Sequence, residues 1–180
     1  NLCSEYAKSV NSKFIVSSSI KKTEKIIKDY SPDIVLVCGW YSIFSKELLI
    51  IPKKGFFGIH HSLLPKYRGG SPLVWSIIND EKFVGSTVFR LENKLDSGLI
   101  AMQIKIKNNI NLSIQDILKI LKQKYEKSFP KLWNDIILGN ARLKHQKHHK
   151  VIVFKPRLPK DGRIDWKWNA LKIHNFVRAQ

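Results

Sequence analysis

The sequence predicts an α/β fold with a mainly parallel sheet and helices on both faces. Short apolar runs of strand length alternate along the chain with amphipathic segments of helical periodicity. Some runs, such as Ile34 to Cys38, are apolar throughout, which is typical of parallel strands that are covered on both faces. With 180 residues, 43% of them hydrophobic, the chain corresponds to about one globular domain at ~100–200 residues per domain.

Local signals define the elements in chain order. Isoleucines alternate with lysines in Ser19 to Tyr30, which predicts an amphipathic helix. Ser45 is a suitable N-cap for a short helix, and Pro72 is suited to the first turn of another. Pro130 predicts a bend or a break in the longest helical segment. The predicted helices are Leu2 to Val10, Ser19 to Tyr30, Ser45 to Ile50, Pro72 to Asn79 and Leu112 to Leu138, and the predicted strands are Lys13 to Ser17, Ile34 to Cys38, Phe56 to His60, Val84 to Leu91 and Leu99 to Ile106.

A change of composition after residue 143 predicts the domain organisation. Residues 1–143 form the predicted core domain, residues 144–150 a basic connector, and residues 151–180 the start of a second module. Both ends of the chain look cut, because Asn1 is not an initiating residue and the helical stretch Ala170 to Ala179 stops at Gln180.

The net charge of +18 has two interpretations. Clustered lysine and arginine attract nucleic acid. Here lysine greatly outnumbers arginine and the basic residues are spread along the chain, which favours solvated surfaces over a polyanion-binding face.

The remaining composition indicates a cytoplasmic protein. The sequence has no apolar run of the ~18 residues that a membrane span needs, and it shows no amino-terminal signal pattern. Cys3 and Cys38 are too few for a disulfide framework or a zinc site. We therefore expect a reducing location, no membrane partner and no metal.

Two segments carry the residues suited to catalysis. His60 ends a predicted strand, at the edge of an α/β sheet where ligands bind, and a loop with two prolines and paired glycines follows it. Asp96 lies on a predicted turn between two strands. A histidine can move a proton near neutral pH, and a carboxylate can orient it and stabilise its cation. Both segments also have ordinary structural interpretations, so the residues by themselves indicate an α/β enzyme with a His–Asp site as one possibility. From their placement we expect His60 and Asp96 to lie close together at the carboxyl edge of the sheet.

The sequence of this loop resembles a known family. The run His60-His61-Ser62-Leu63-Leu64-Pro65-Lys66-Tyr67-Arg68-Gly69-Gly70-Ser71-Pro72-Leu73 is similar to the signature of the methionyl-tRNA formyltransferase superfamily, as is Leu95-Asp96-Ser97-Gly98 downstream of it. The tail from Asp161 to Trp166, with Ile173-His174-Asn175 after it, resembles the start of that family's C-terminal module.

The resemblance implies a fold, a co-substrate and residue roles. The fold would be a Rossmann-like formyltransferase sheet whose first strands are missing from this chain. The co-substrate would be 10-formyltetrahydrofolate, with His60 and Asp96 as catalytic residues. The implied folate contacts are His61, Ser62, Leu63, Leu64, Tyr41, Ile43, Asn93 and Leu95, and the implied acceptor contacts are Tyr67 and Arg68.

One position departs from the family pattern. The family usually has an asparagine two residues before the catalytic histidine, and this chain has Gly58 there. The asparagine amide helps to bind the developing oxyanion, and the loss of one such donor typically costs ~10²–10³ in rate. His61 or a backbone N–H are the candidates for a substitute donor.

Several acceptors fit the resemblance. The amine of a nucleotide-linked amino sugar is favoured, followed by the α-amine of methionyl-tRNA, and water would make the protein a formyltetrahydrofolate hydrolase. A non-catalytic, basic nucleic-acid-binding module is the alternative from another class, because the net charge is +18 and the asparagine is absent.

Overall fold

A computed structural model describes residues 2–147 and 151–180. The chain divides into two compact units, Asn1–Ser31 and Pro32–Gln180. The first unit contains the helices α1 (Leu2–Ser9) and α2 (Ile20–Tyr30). The Ser19 side chain caps α2 by accepting a hydrogen bond from the Lys22 backbone N–H, and Ser31 ends the helix in the left-handed conformation. The predicted strand Lys13 to Ser17 is wrong, because this segment has no regular structure and a strand needs a partner to satisfy its backbone.

The second unit contains the sheets. Its elements are β1 (Val35–Val37), α3 (Lys46–Leu49), β2 (Phe56–His60), β3 (Arg68–Gly69), α4 (Pro72–Ile78), β4 (Phe83–Arg90), β5 (Ile100–Lys107), α5 (Ile114–Ile137), β6 (Val153–Phe154), a 3-10 helix (Pro159–Gly162) and α6 (Ala170–Arg178).

The strand directions correct one prediction. In the described residues, the larger sheet has the order β1-β2-β4-β5. β1 and β2 are parallel, whereas β2 with β4 and β4 with β5 are antiparallel. The predicted α/β class is confirmed, but the described sheet is not mainly parallel. For β4 and β5 the physical reason is their connection, which turns the chain back without the helical crossover that parallel neighbours require.

Strand β1 is less buried than the sequence predicts. Within the described residues it is hydrogen-bonded to β2 alone. Leu36 is exposed to 37% of its surface and Cys38 is also exposed, so Ile34 to Cys38 is not covered on both faces.

The principal core lies where α4, α5 and α6 pack against β4 and β5. Ile77, Val84, Ile117 and Leu121 are at most 1% exposed there. Phe176 of α6 belongs to the same cluster, so the last helix completes this core.

Helix α5 continues through its internal proline. A capping box of Ser113 and Asp116 starts the helix, and Pro130 lies inside it. Of the predicted bend or break at Pro130, the break is wrong because the turns around it are packed. Phe129 and Trp133 stack, and both contact the cluster around Phe57 and Val88. Tertiary packing therefore outweighs the backbone hydrogen bond that proline removes.

The segment after residue 150 packs on the strand that follows the His60 loop. Strand β6 pairs in parallel with β3, and the Phe154 ring stacks on Tyr67 and on Trp75 with centroid distances of 5.1 Å. Gly69 has a φ of +96°, and a Cβ there would lie 2.0 Å from the Phe154 carbonyl oxygen. A side chain at position 69 would therefore separate the two strands. The predicted boundary after residue 143 stays a prediction, and residues 148–150 of the predicted connector lie outside the described residues.

Candidate active site

His60 is held at the end of β2 with a defined orientation. Its ring is 9% exposed, and its Nε2 lies 2.7 Å from the Tyr67 carbonyl oxygen. A carbonyl can only accept a hydrogen bond, so the proton of the neutral imidazole belongs on Nε2. The lone pair is then on Nδ1, which lies 3.6 Å from the Asp96 Oδ2. The ring is therefore arranged to accept a proton at Nδ1, beside a carboxylate that stabilises the resulting cation.

Asp96 reaches His60 from an unexpected direction. Strand β4 ends beside Phe57 in the first half of β2, because Arg90 pairs with Phe57. The connection to β5 then folds back and brings Asp96 next to His60. The predicted proximity of the two side chains is confirmed, but Asp96 does not follow a strand that ends at the same edge as β2.

Two contacts hold the Asp96 carboxylate and its turn. The backbone N–H of Gly69 donates to Asp96 Oδ2 at 2.8 Å. The side-chain amide of Gln146 donates to the carbonyl oxygens of Asp96 and Gly98, each at 2.8 Å. Sequence reasoning missed Gln146, since it lies in the predicted connector and no local pattern distinguishes it from a surface glutamine.

The loop after β2 is fixed by polar contacts to the sheet. Thr87 Oγ1 donates to the Ser62 carbonyl at 2.6 Å, and Gln103 Nε2 donates to the Leu64 carbonyl at 2.8 Å. Ser62 and Leu64 are 1% and 3% exposed. Their predicted contact with folate stays a prediction, and their visible contribution is to shape the loop.

His61 faces the side of the sheet that α5 covers. Its Nδ1 lies 3.1 Å from Ser86 Oγ, which is in turn 2.6 Å from the Tyr125 hydroxyl. Burial, with a smaller effect of His60, lowers the pKa of His61. Burial raises the pKa of Tyr125 to about 12, so the phenol stays protonated. The structure therefore favours a neutral His61 fixed by hydroxyl groups.

Most of the other predicted folate contacts have exposed side chains, and one is half-buried. Tyr41, Ile43 and Leu95 are 93%, 61% and 43% exposed, and Asn93 is also exposed. Leu63, in the loop itself, is half-buried. The exposed side chains are free to contact a ligand, and their roles stay predictions.

The predicted acceptor contacts are engaged inside the protein. The Tyr67 hydroxyl donates to Glu81 at 3.0 Å, and burial raises the pKa of Tyr67 to about 12. Arg68 is 9% exposed and donates from Nη2 to Gln146 Oε1 at 2.7 Å. Lys66 forms an ion pair with Glu81 at 2.8 Å.

Neighbouring side chains fill the space beside Gly58. A Cβ at this position would lie 2.6 Å from Leu91 Cδ1 and 3.1 Å from Phe89 Cε1. The asparagine of the family pattern therefore has no room unless these apolar groups move. Among residues 2–147 and 151–180, no three His, Cys, Asp or Glu side chains are grouped as metal ligands.

No helix in the described part of the chain is both long and apolar enough to cross a membrane.

Comparison with known proteins finds similar sequences over most of this chain. The family model of the formyl transferases matches residues 8–132. A methionyl-tRNA formyltransferase of Clostridium perfringens is 33% identical over 159 residues, which cover 88% of this chain and 51% of the relative. The bifunctional polymyxin resistance protein ArnA of Wigglesworthia glossinidia brevipalpis is 37% identical over 158 residues, which cover 82% of this chain and 23% of that protein.

A solved structure shares the fold. The N-formyltransferase from Helicobacter canadensis, in complex with folinic acid and dTDP-3-aminofucose, superposes with a TM-score of 0.75 at 24% identity, covering 97% of this chain and 62% of that one. The chain thus spans about half the length of the Clostridium relative.

Proposed function

This chain belongs to the formyl transferase family, and on that premise we propose that it transfers a formyl group from 10-formyltetrahydrofolate to a primary amine of a nucleotide-linked amino sugar. The observation that carries the proposal is the His60–Asp96 pair, in which His60 Nδ1 lies 3.6 Å from a carboxylate oxygen of Asp96. Formyl transfer to an amine needs a group that accepts a proton and then returns it, and this pair has the chemistry for both steps.

The proposed reaction balances without an additional reactant. The amine lone pair attacks the formyl carbon, the C=O electron pair moves to the oxygen, and the amine proton passes to His60 Nδ1. Asp96 stabilises the imidazolium, whose Nε2–H remains on the Tyr67 carbonyl. Collapse of the tetrahedral intermediate breaks the bond between carbon and the folate N10, which takes the proton back from Nδ1. The products are a formamide and tetrahydrofolate.

The charges around the loop favour a small acceptor over a polyanion. Lys66 is paired with Glu81, and Arg68 donates to Gln146, so neither cation is presented unpaired to a phosphate backbone. A tRNA needs several such phosphate contacts, whereas a sugar nucleotide needs few. The Helicobacter canadensis protein contained an amino sugar linked to a nucleotide, which supports the same class of acceptor.

Methionyl-tRNA is the second candidate. The Clostridium perfringens relative is named for that acceptor at 33% identity, and the net charge of +18 suits an RNA partner.

The test gives the full-length protein 10-formyltetrahydrofolate with each acceptor at several salt concentrations. We expect formylation of a nucleotide-linked amino sugar with a weak dependence on salt. Formylation of methionyl-tRNA alone, lost steeply as salt rises, would exclude the amino sugar. Formate release without an acceptor would identify a hydrolase, and salt-dependent RNA binding without turnover would identify a nucleic-acid-binding module.

A further inference from the structure

We infer that Gln146 is a positioning residue that holds the Asp96 turn against His60, an inference that rests on the proposed function. Gln146 makes no hydrogen bond to the His60 ring or to the Asp96 carboxylate. It acts through the backbone carbonyls of Asp96 and Gly98. Its side chain is 5% exposed and connects two segments of the site that are far apart in sequence.

The chemistry of its partners determines how the amide is oriented. The carbonyl oxygens of Asp96 and Gly98 can only accept, so they must face the NH₂ group, which lies 2.8 Å from each. The Arg68 guanidinium can only donate, so it must face Oε1, at 3.2 Å from Nε and 2.7 Å from Nη2. The flipped amide would place donors against donors and acceptors against acceptors. All four hydrogen bonds therefore require one orientation.

The turn has a reason to need this support. Asp96 has a φ of +45°, in the left-handed region that residues other than glycine adopt uncommonly. The two carbonyls that Gln146 holds lie on either side of Ser97, so the amide spans the turn at its centre. The Gly69 N–H then meets the Asp96 carboxylate from the opposite segment, at 2.8 Å.

Arg68 extends the same connection to the loop. It belongs to β3, one residue before the Gly69 donor and one after Tyr67, whose carbonyl accepts from His60. Gln146 therefore joins the segment that orients His60 to the turn that carries Asp96. Loss of the Gln146 amide would move the Asp96 carboxylate away from His60, although both catalytic side chains would still be present.

The molecule contains a matched control. Asn175 is a second buried carboxamide, 1% exposed, whose Oδ1 accepts from Arg178 Nε at 2.8 Å. It contacts Asp80 and not the Asp96 turn. Replacement of either amide removes an arginine acceptor, but only Gln146 touches the proposed site.

The experiment uses the full-length protein with Gln146→Leu, Gln146→Glu, Asn175→Leu and Asp96→Asn, and each variant is checked by thermal unfolding. We expect Gln146→Leu and the nearly isosteric Gln146→Glu to lower kcat by about 10- to 100-fold through misplacement of the carboxylate. Asn175→Leu should lower thermal stability and leave kcat unchanged. In the Asp96→Asn background, Gln146→Leu should cost no further activity, because a residue that acts through Asp96 has nothing left to position.

A second readout does not depend on turnover. Hydrogen exchange of the Gly69 amide, followed by NMR, should accelerate in both Gln146 variants and not in Asn175→Leu, since this N–H donates to the Asp96 carboxylate. Unchanged exchange, or equal losses of kcat with and without the Asp96 carboxylate, would overturn the inference. Absence of any turnover by the wild-type protein would refute the proposed function instead, and the exchange measurement would still decide the role of Gln146.

Discussion

Two buried pairs of arginine and carboxamide stabilise different parts of the molecule. Arg68 with Gln146 lies at the proposed active site, and Arg178 with Asn175 lies where α6 meets α4. The two arginines are 9% and 8% exposed, and burial lowers the pKa of each while Asp96 and Asp80, respectively, oppose the shift. The two pairs are therefore nearly the same in residue types, in burial and in the direction of the arginine pKa.

The partners of the two pairs make the difference. Gln146 donates to a turn that carries a carboxylate next to His60. Arg178 donates to Asn108 Oδ1 and to the carbonyls of Asn109 and Leu112, and thereby ties α6 to the segment between β5 and α5. A buried arginine–amide pair is therefore not a signature of an active site. Its function depends on the group that its hydrogen bonds hold in place.

The largest expected effect tests the site half of this comparison. His60→Ala and Asp96→Ala should each reduce kcat by about 10²–10⁴-fold, because His60 transfers the proton and Asp96 stabilises the imidazolium that forms. Folate affinity, measured by calorimetry, should remain largely intact. His174→Ala removes an exposed imidazole that bonds the Ile110 carbonyl, and it is the control. Near-normal turnover by either site variant would remove that residue from the proposed mechanism.

The scaffold half of the comparison predicts a loss of stability without a loss of activity. Arg178→Met leaves Asn108 Oδ1 and two carbonyls without their donor, and it should lower the free energy of unfolding by about 2–3 kcal/mol. Urea denaturation measures the change. Arg142→Met, at an exposed arginine, should change it by less than about 0.5 kcal/mol. A fall in kcat per folded molecule of the Arg178 variant would contradict the division between the two pairs.

Gly58 gives a way to sharpen the site half. Gly58→Asn should destabilise the protein by about 1–3 kcal/mol through overpacking against Leu91 and Phe89. Truncation of the neighbour, in Gly58→Asn with Leu91→Ala, should recover part of that loss and allow the amide to reach the site. Thermal unfolding and kcat of the two variants, with Leu91→Ala as the control, measure this. Equal stability of Gly58→Asn and the wild type would show that Leu91 and Phe89 do not fill the space beside position 58.

The smallest effect concerns pH. The pKa of His61 is lowered in the folded state, so below about pH 6.5 the unfolded chain binds this proton more readily than the folded one. The free energy of unfolding is therefore unaffected by His61 well above that pH, and His61 lowers it as the pH falls. His61→Gln should show a smaller loss of stability between pH 7.5 and pH 5.5 than the wild type does, by chemical denaturation. Identical losses would mean that burial does not suppress protonation of His61.

Much of the local structure could be predicted because its signals lie within a few residues. The Ser45 cap, the proline at the start of α4 and the apolar run of β2 all appear where the sequence predicts them. Sequence pattern also predicted that His60 and Asp96 would meet. The cap, proline and strand signals each act through a backbone group or a side chain on the same turn or strand.

The sequence by itself determined the α/β class, the family resemblance and the His60–Asp96 pair, because these follow from local periodicity and from two short motifs. Only the tertiary structure decided the antiparallel direction of β4, the continuity of α5 through Pro130 and the place of Gln146 in the site. Gln146 contacts Asp96 and Arg68 across 50 and 78 residues of chain. Such contacts form when folding brings distant segments together, and their energy depends on burial and on satisfied hydrogen bonds that no local pattern reports.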